Sequence, residues 1–399
     1  MSARIKKHTL TKKSLARNIL PIGDKGFLIT LFVLLLFGIV MVFNATAVYA
    51  QGTFGEAYRL VILHVGWILV GVIGFYFFYN FDYRNLYYLA MPIFIVSLFL
   101  LLILAIFGVL PCSLDTIFAP CINGANRWFY LNPSPLPSIP FLGVIGFQPS
   151  EFAKFALVLY LSMVISKNIK DSYSVFLSYL VVVGIVSFLI ILQPNMSTAV
   201  LIFVLGSAIY FSSGAWLTPF FVLIPALTFG SIGMILSSSY RRERLLTFLN
   251  HSEAGSLVEG YHIKQVLIAL GSGGLFGVGF GQSKQKFQYL PEVAADSIFA
   301  IIGEELGFIG TTLLIGLFFY LVYKGYKVAK NAPDLFGRLL SVGFTTWIAF
   351  QFFVNIAAMT KIIPLTGVPL PLISYGGSSM VFSLIGLGVL ANVSRQIKT

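Results

Sequence analysis

Three charged residues lie where they could act on a substrate that carries phosphate and hydroxyl groups. Asp296 directly precedes the apolar run SIFAIIG, and Glu151 and Lys154 are three residues apart at the start of another apolar run. Residues at that spacing share one face of a helix, so Glu151 and Lys154 can pair. A carboxylate can take a proton from a hydroxyl, and a lysine can stabilise the charge of a phosphate. Because charge inside or at the edge of a membrane is costly, such residues are candidates for function.

Each of these residues also has a structural interpretation. Glu151 and Lys154 could simply join two helices as an ion pair, and Asp296 could cap the helix that follows it. Glu304 and Glu305 lie about two turns further along, where they could face a cavity or pair with basic residues of neighbouring helices. The sequence alone leaves these alternatives open.

Two polar stretches interrupt apolar segments and add further candidates. Residues 193–195, Gln-Pro-Asn, end one segment, because proline cannot continue a helix. Residues 374–379, SYGGSS, combine hydroxyl groups with small residues, which suits either ligand contact or close helix packing. The sequence contains no His/Cys metal cluster, and no lysine-serine pair follows the glycine-rich GSGGLFGVGFG, so it does not support a zinc or nucleotide site.

The composition excludes a water-soluble protein. Of the 399 residues, 58% are hydrophobic and only 10% are charged, whereas soluble domains are about 25% charged. The net charge of +12 is explained first by membrane topology and anionic lipid, not by nucleic acid. We therefore expect a multi-pass membrane protein with no nucleic-acid partner.

The apolar segments predict the fold class, an all-α polytopic membrane protein with about ten transmembrane helices. The surplus of Lys and Arg near the predicted inner ends places both termini in the cytoplasm. A basic N-terminal segment (1–26) and a C-terminal tail (394–399) then flank a membrane domain (27–393) with large outside loops at 111–149 and 239–295. The predicted spans are residues 27–49, 59–79, 86–109, 150–165, 175–192, 198–211, 216–237, 296–323, 336–358 and 370–392.

The two outside loops contain the remaining signals. The second loop has several Lys and Arg residues, among them Lys286, on the side that the positive-inside rule disfavours. They could contact lipid headgroups or receive an anionic ligand from the outer leaflet. An amphipathic helical stretch in the same loop, between Tyr261 and Leu275, is predicted to lie in the interface. In the first loop, Cys112 and Cys121 could form a disulfide, which two cysteines alone do not decide.

Taken together, these residues favour a cavity open to the outer leaflet, lined by Asp296, Glu151, Lys154 and Arg127. Such a cavity suits a lipid-linked phosphate, but the spacing does not say whether the protein moves that substrate or reacts it. The pattern resembles the SEDS family (shape, elongation, division and sporulation proteins), and its cell-division branch most closely. The resemblance covers residues 124–379 and is carried by GANRW, FQPSEFAKFALVLYL, ILQPNMSTA, YRRERLLTFL, GYHIKQVLIALGSGGLFGVGFGQSKQKFQYLPE, DSIFAIIGEELG and GVPLPLISYGGSS.

The resemblance implies a peptidoglycan glycosyltransferase that polymerises lipid II at the outer face of the bacterial cytoplasmic membrane, at the division septum. It implies that Asp296 is the catalytic base, that a divalent cation (Mg²⁺ or Mn²⁺) assists with Asp296 or Glu151 as possible ligands, and that undecaprenyl diphosphate leaves. The implied partners are lipid II, the undecaprenyl-diphosphate-linked glycan, a class B penicillin-binding transpeptidase and other divisome membrane proteins. The candidate substrate-binding residues are Arg59, Arg127, Glu151, Lys154, Gln193, Lys286, Glu292 and Ser374.

The sequence departs from the family pattern at three places. Ala294–Ala295 stand where the family often has His-Thr, so we expect no neighbouring histidine to assist Asp296. Asn195 replaces the aspartate of the family's Gln-Pro-Asp, and Arg59 lies one turn before the usual arginine position. A lipid II flippase and a non-catalytic division scaffold are the alternative functions.

Overall fold

The computed structural model describes residues 23–109, 117–122, 125–133, 136, 137, 139, 143–216, 257–287 and 293–397, together with isolated positions between 218 and 242. In this part of the chain, four two-residue strands lie between the third and fourth helices: β1 Cys121–Ile122, β2 Ala125–Asn126, β3 Phe129–Tyr130 and β4 Gly146–Phe147. The helices are α1 Lys25–Phe54, α2 Arg59–Asn80, α3 Leu86–Val109, α4 Pro149–Asn168, α5 Ser172–Leu192, α6 Met196–Ser212, α7 Leu257–Ser272, α8 Ile298–Asn331, α9 Leu335–Met359 and α10 Gly377–Arg395.

Helices dominate the fold, and the predicted fold class is confirmed. Among the described residues, 8 helices are long and apolar enough to cross a membrane, and α6 is a shorter apolar helix. These elements correspond to nine of the predicted spans. The predicted span at 216–237 lies largely outside the described residues, so the total of about ten stays a prediction, as do the sides on which the loops and termini lie.

The last helix begins later than the sequence predicted, at Gly377 instead of residue 370. The residues before it form a turn in which the backbone N–H of Leu370 donates to Ser374 Oγ at 2.8 Å. Pro369 and Pro371, on either side of Leu370, do not favour helix here, because proline lacks the N–H that a helix interior needs. The structure therefore converts the start of the predicted span into a turn at the end of the helix bundle.

Two ion pairs that involve helix-capping aspartates lie at one end of the bundle. Asp24 caps α1 by accepting from Phe27 N and pairs with Lys324 of α8 at 3.0 Å. Asp334 caps α9 and pairs with Arg84 at 3.6 Å. The opposite end contains the strands, α7 and the loop between α9 and α10, so the two ends differ in chemistry.

Small residues bring helices into close contact within the bundle. A Cβ on Gly377 would lie 2.6 Å from the Trp67 ring, and one on Gly388 would lie 2.7 Å from the Phe75 carbonyl oxygen. Glycine thus allows α10 to lie directly against α2. The close-packing interpretation of SYGGSS is therefore correct for Gly377.

The loop between α3 and α4, which is predicted to lie outside, is partly described and contains two antiparallel strand pairs. Phe129 and Tyr130 of β3 pair with Phe147 and Gly146 of β4, which brings the loop back to the first residue of α4. Cys121 is disulfide-bonded. Cys112, the other cysteine of the sequence, lies outside the described residues.

Helix α8 is interrupted at Gly307, where φ is 66° and ψ is −166°. The interruption breaks two helical hydrogen bonds, which leaves two N–H groups and two carbonyls without helical partners. The preceding glycine-rich loop supplies a hydrogen bond to each of these four groups. Phe308 N and Ile309 N donate to the carbonyls of residues 274 and 275, at 2.9 and 3.1 Å. The carbonyls of Glu304 and Glu305 accept from the N–H groups of residues 278 and 279, at 2.9 and 3.2 Å. The glycine-rich stretch thus completes a broken helix.

The interruption lies toward the end of α8 that is distant from the Asp24–Lys324 pair. From Gly307 to Lys324 the helix rises about 25 Å, close to the roughly 30 Å thickness of a bilayer core. Residues 298–306 are therefore a short segment at the opposite boundary, and the spanning part of α8 follows Gly307. We observe no midplane discontinuity in α8 of the kind that forms substrate sites in many transporters.

Candidate active site

Asp296 lies immediately before α8 and is 8% exposed. The helix begins at Ile298, two residues after the predicted start, and its N-cap is Ser297, so the alternative that Asp296 caps this helix is wrong. Its backbone carbonyl accepts from Asn355 Nδ2 at 2.8 Å. A Cβ placed on Gly367, whose φ is 65°, would lie 4.0 Å from Asp296 Oδ2. The carboxylate therefore lies beside Gly367, whose positive φ favours glycine.

One face of α9 joins Asp296 to the loop that follows α9. Asn355 Nδ2 also donates to the Val368 carbonyl at 2.8 Å. One turn earlier, Gln351 Nε2 donates to the Pro369 carbonyl at 3.2 Å. These two amides hold the loop against α9 beside Asp296.

The same face of α9 contacts the predicted ion pair of α4. Lys154 Nζ lies 2.7 Å from Glu151 Oε1, and both side chains are buried. Lys154 Nζ is also 3.5 Å from Gln351 Oε1 and 4.6 Å from the centre of the Trp347 ring. Glu151 Oε2 is buried and has no hydrogen-bond partner among the residues that the structure describes. Through Gln351 and Asn355, α9 thus connects the ion pair with Asp296.

The loop between α9 and α10 closes this region. Tyr375 N donates to the Ala294 carbonyl at 2.8 Å, which ties the loop to the residues before Asp296. Burial raises the pKa of the Tyr375 phenol, so it stays a neutral hydroxyl at neutral pH. Ser374, a predicted substrate ligand, is 4% exposed and holds the turn at Leu370.

Three other predicted substrate ligands have contacts with the protein itself. Arg127 donates to the carbonyls of Gln193 and Pro194, at 3.4 and 2.6 Å. The Gln193 side chain is 1% exposed and donates to the Leu101 carbonyl at 3.0 Å. Arg59 lies over the Phe54 ring at 4.5 Å. These contacts hold the ends of helices, and a substrate role for the three residues stays a prediction.

Lys286 belongs to a separate buried cluster. Its Nζ contacts Glu305 Oε1 at 3.2 Å, Asn44 Oδ1 at 3.0 Å and the carbonyl of residue 281 at 2.6 Å. Glu304 accepts from Ser283 Oγ and from the backbone N–H of residues 284 and 285. The two glutamates therefore hold the loop over residues 281–286. The predicted pairing with a basic residue is found for Glu305, whose partner Lys286 lies in a loop and not in a neighbouring helix, whereas Glu304 accepts from a serine and from backbone N–H groups. Glu292 lies outside the described residues.

In the part of the chain that the structure describes, no three His, Cys, Asp or Glu residues lie close enough to hold a metal ion. A role of Asp296 or Glu151 as a ligand of a divalent cation stays a prediction. Mg²⁺ often binds through one or two carboxylates together with substrate phosphates, so the diphosphate of a substrate would supply further ligands.

Sequence reasoning missed the hydrogen bonds that His262 and Ser297 form beside Asp296. His262 of α7 has its Nε2 2.7 Å from Ser297 Oγ, and that hydroxyl lies 3.3 Å from Asp296 Oδ1. The expectation that no histidine neighbours Asp296 is therefore wrong, because the fold supplies one from a distant position. Gln351 and Asn355 were also missed, although polar residues one turn apart in an apolar helix are a recognisable signal.

Comparison with known proteins identifies the family. A family model described as "Cell cycle protein", which groups FtsW, RodA and SpoVE, matches residues 25–399. The chain belongs to the SEDS family. The resemblance seen in the sequence is therefore confirmed, and the match extends over nearly the whole chain.

Individual SEDS proteins align with the chain along most of their length. Stage V sporulation protein E of Bacillus subtilis is 38% identical over 375 residues, which is 93% of this chain and 97% of that protein. A probable peptidoglycan glycosyltransferase FtsW of Trichlorobacter lovleyi is 36% identical over 386 residues, 94% of each chain. The FtsW relatives agree with the predicted cell-division branch, and the sporulation protein shares much of the same sequence.

A solved SEDS structure has the same fold. A chain of a peptidoglycan synthase complex, described as coordinating polymerization and crosslinking, superposes with a TM-score of 0.73 at 25% identity. The match covers 94% of this chain and 99% of that chain.

Proposed function

We propose that this SEDS protein is a peptidoglycan glycosyltransferase that polymerises lipid II into glycan strands at the outer face of the cytoplasmic membrane. The observation that carries the proposal is the position of Asp296. It is a mostly buried carboxylate at the boundary of α8, next to a glycine, and α9 connects it to the buried Glu151–Lys154 pair. FtsW relatives that bear the name of this activity support the assignment.

The proposed reaction is a direct displacement at a sugar carbon. The 4-hydroxyl oxygen of the acceptor lipid II attacks C1 of the donor glycan, and Asp296 takes the hydroxyl proton. The bond between C1 and the diphosphate oxygen breaks, its electron pair leaves with undecaprenyl diphosphate, and the anomeric centre inverts. Burial favours this chemistry, because a fixed carboxylate shielded from water is an effective base.

The cationic part of the site would bind the diphosphate. Lys154 is buried beside Glu151, and Arg127 lies near the end of α5; both could stabilise the charge that develops on the leaving group. A divalent cation stays a proposal for the same role, and no step above depends on it.

Two further proposals concern the cellular context. We propose a class B penicillin-binding transpeptidase as partner, supported by the similar chain within a complex of polymerization and crosslinking, and other divisome membrane proteins as neighbours.

We propose septal cell-wall synthesis as the role, supported by the FtsW relatives. A sporulation role is the second candidate, because the sporulation relative is 38% identical. Depletion in the host bacterium separates them: filamentous cells support division, and a defect confined to spores supports sporulation.

The deciding experiment measures glycan polymer from labelled lipid II in liposomes, with the transpeptidase and Mg²⁺ present. We expect polymer from the wild type, and a loss of about 10²–10⁴-fold in Asp296→Asn, the usual contribution of a general base. Asp171→Asn is the matched control, because Asp171 is an exposed carboxylate that caps α5 at the other end of the bundle. Equal activity of Asp296→Asn and wild type would remove Asp296 as the base. Movement of lipid II across the bilayer without polymer would overturn the enzyme in favour of a flippase.

A further inference from the structure

Three side chains form a continuous hydrogen-bonded chain that ends at the proposed base. His262 Nε2 lies 2.7 Å from Ser297 Oγ, and Ser297 Oγ lies 3.3 Å from Asp296 Oδ1. The histidine comes from α7 and the other two residues precede α8, so the contact joins two elements.

The chemistry of the groups fixes the direction of the hydrogen bonds. An ionised carboxylate has no proton to donate, so the Ser297 hydroxyl must donate to Asp296. The Ser297 oxygen is then an acceptor for His262, and the His262 Nε2 must carry a proton. The chain therefore runs from His262 through Ser297 to Oδ1 of an Asp296 that is ready to act as a base.

Ser297 does not perform the usual task of a serine at its position. It is the N-cap residue of α8, where a serine normally accepts a hydrogen bond from the backbone of the first turn. Here its side chain makes no capping bond, and its φ and ψ of −91° and 2° differ from the extended conformation of an ordinary cap. The hydroxyl, which is 0% exposed, instead contacts Asp296 and His262. Helix capping thus does not explain this serine.

The packing of α7 explains why His262 reaches this position. Val266 and Ala269 follow His262 at helical spacing and are 1% and 0% exposed. At the end of α7, Leu270 packs against Gly303 of α8. These contacts fix α7 against the short segment 298–306, and His262 is held on the same face of α7 as the two buried residues.

We propose that His262 and Ser297 are positioning residues that hold the Asp296 carboxylate through Oδ1, so that Oδ2 is directed past Gly367 toward the acceptor hydroxyl. Gly367 lies on that side of the carboxylate, since a Cβ built on it would lie 4.0 Å from Oδ2, at ordinary contact distance. This proposal rests on the proposed function, because it assigns a task only if Asp296 is the base. A carboxylate that is held in the reactive orientation spends less time in unreactive conformations, so the reaction is faster.

The first test uses variants that remove or keep the hydrogen bonds in the full-length protein with its transpeptidase. Ser297→Ala and His262→Leu are each expected to lower the kcat of lipid II polymerisation about tenfold, the effect of losing one hydrogen bond to a charged group. KM for lipid II should stay within about twofold, because the orientation of a base affects the reacting complex more than binding. Ser297→Thr and His262→Gln keep a hydroxyl and an N–H donor and should restore most of the activity.

The controls separate positioning from general stability. Ser272→Ala removes a serine at the other end of α7 whose hydroxyl donates to the Ala269 carbonyl of the same helix, and it should leave kcat unchanged. The double variant His262→Leu/Ser297→Ala should be no slower than Ser297→Ala alone, since the histidine acts through the serine. Additive losses, equal losses in the conservative variants, or a rise in KM at constant kcat would each overturn the proposal.

A second measurement tests the hydrogen bond without relying on activity. Diethylpyrocarbonate modifies histidine nitrogens, and mass spectrometry follows each of the four histidines separately. Ser297→Ala should speed the modification of His262 and leave the other sites unchanged. If wild type makes no polymer, the proposed function fails by itself. An unchanged rate at His262 overturns the positioning contact whether or not the enzyme is active.

Discussion

Replacing Lys154 by methionine separates a structural ion pair from a substrate-binding one. The pair joins two buried side chains at 2.7 Å, and the second oxygen of Glu151 is buried with no hydrogen-bond partner in the described part of the chain. Methionine keeps the length of the side chain and leaves the Glu151 carboxylate without its cation. Removing one partner of a buried pair costs about 3–5 kcal/mol, whereas removing both charges is often close to neutral.

The expected results follow from that difference. Lys154→Met should lower the apparent melting temperature in detergent by several degrees, and Glu151→Gln/Lys154→Met should recover most of the loss. Polymerisation should stay low in both variants if Lys154 binds the diphosphate of the substrate. Thermal unfolding followed by size-exclusion chromatography, together with the liposome assay, measures the two effects separately.

A matched control lies at the other end of the bundle. Arg84 pairs with Asp334 at 3.6 Å, and the two side chains are 57% and 38% exposed. Because exposed pairs contribute about 0–1 kcal/mol, Arg84→Met should change the melting temperature little. A Lys154→Met protein that melts like the wild type would refute the reasoning from burial. A double variant with full polymerisation activity would refute the role of Lys154 in binding substrate.

The remaining predictions concern the loop that completes α8. Gly277→Ala should destabilise the protein, because φ is 83° and a Cβ would collide with the Glu305 carbonyl. Gly271 of α7 has open space around it, so Gly271→Ala should stabilise the protein by up to about 1 kcal/mol. Melting temperatures in detergent test both expectations. Lys286→Met should leave Glu305 buried without its cation and speed hydrogen exchange at residues 279–286, measured by mass spectrometry. Slow exchange in that variant would mean that the backbone contacts alone hold the loop.

The spans and the acidic candidates were accessible to sequence reasoning because each depends on local information. A bilayer fixes the length of an apolar helix, so nine described helices fall where the apolar runs predicted them. Asp296 and the Glu151–Lys154 pair were found because charges are rare in such runs. The pairing of Glu151 with Lys154 follows from helical spacing alone and is confirmed.

The features that sequence reasoning missed depend on contacts between distant residues. His262 and Ser297 are 35 residues apart, and no periodic pattern connects them. The interruption at Gly307 leaves no local signature either, since the apolar pattern continues through it and one glycine is common in helices. It becomes possible only because the preceding loop presents donors and acceptors of matching spacing. Both the contact of His262 with Ser297 and the interruption at Gly307 therefore depend on tertiary packing and not on local propensity.

The way in which α8 is completed has a consequence for protein engineering. The loop is bound mainly through its backbone, while the side chains of Leu275 and Phe276 point outward and are 63% and 79% exposed. Its shape is therefore encoded largely in Glu304, Glu305 and the glycines, and the outward positions are available for other uses. A fluorophore or crosslinker attached there would report on events at the interruption of α8 while leaving the architecture intact.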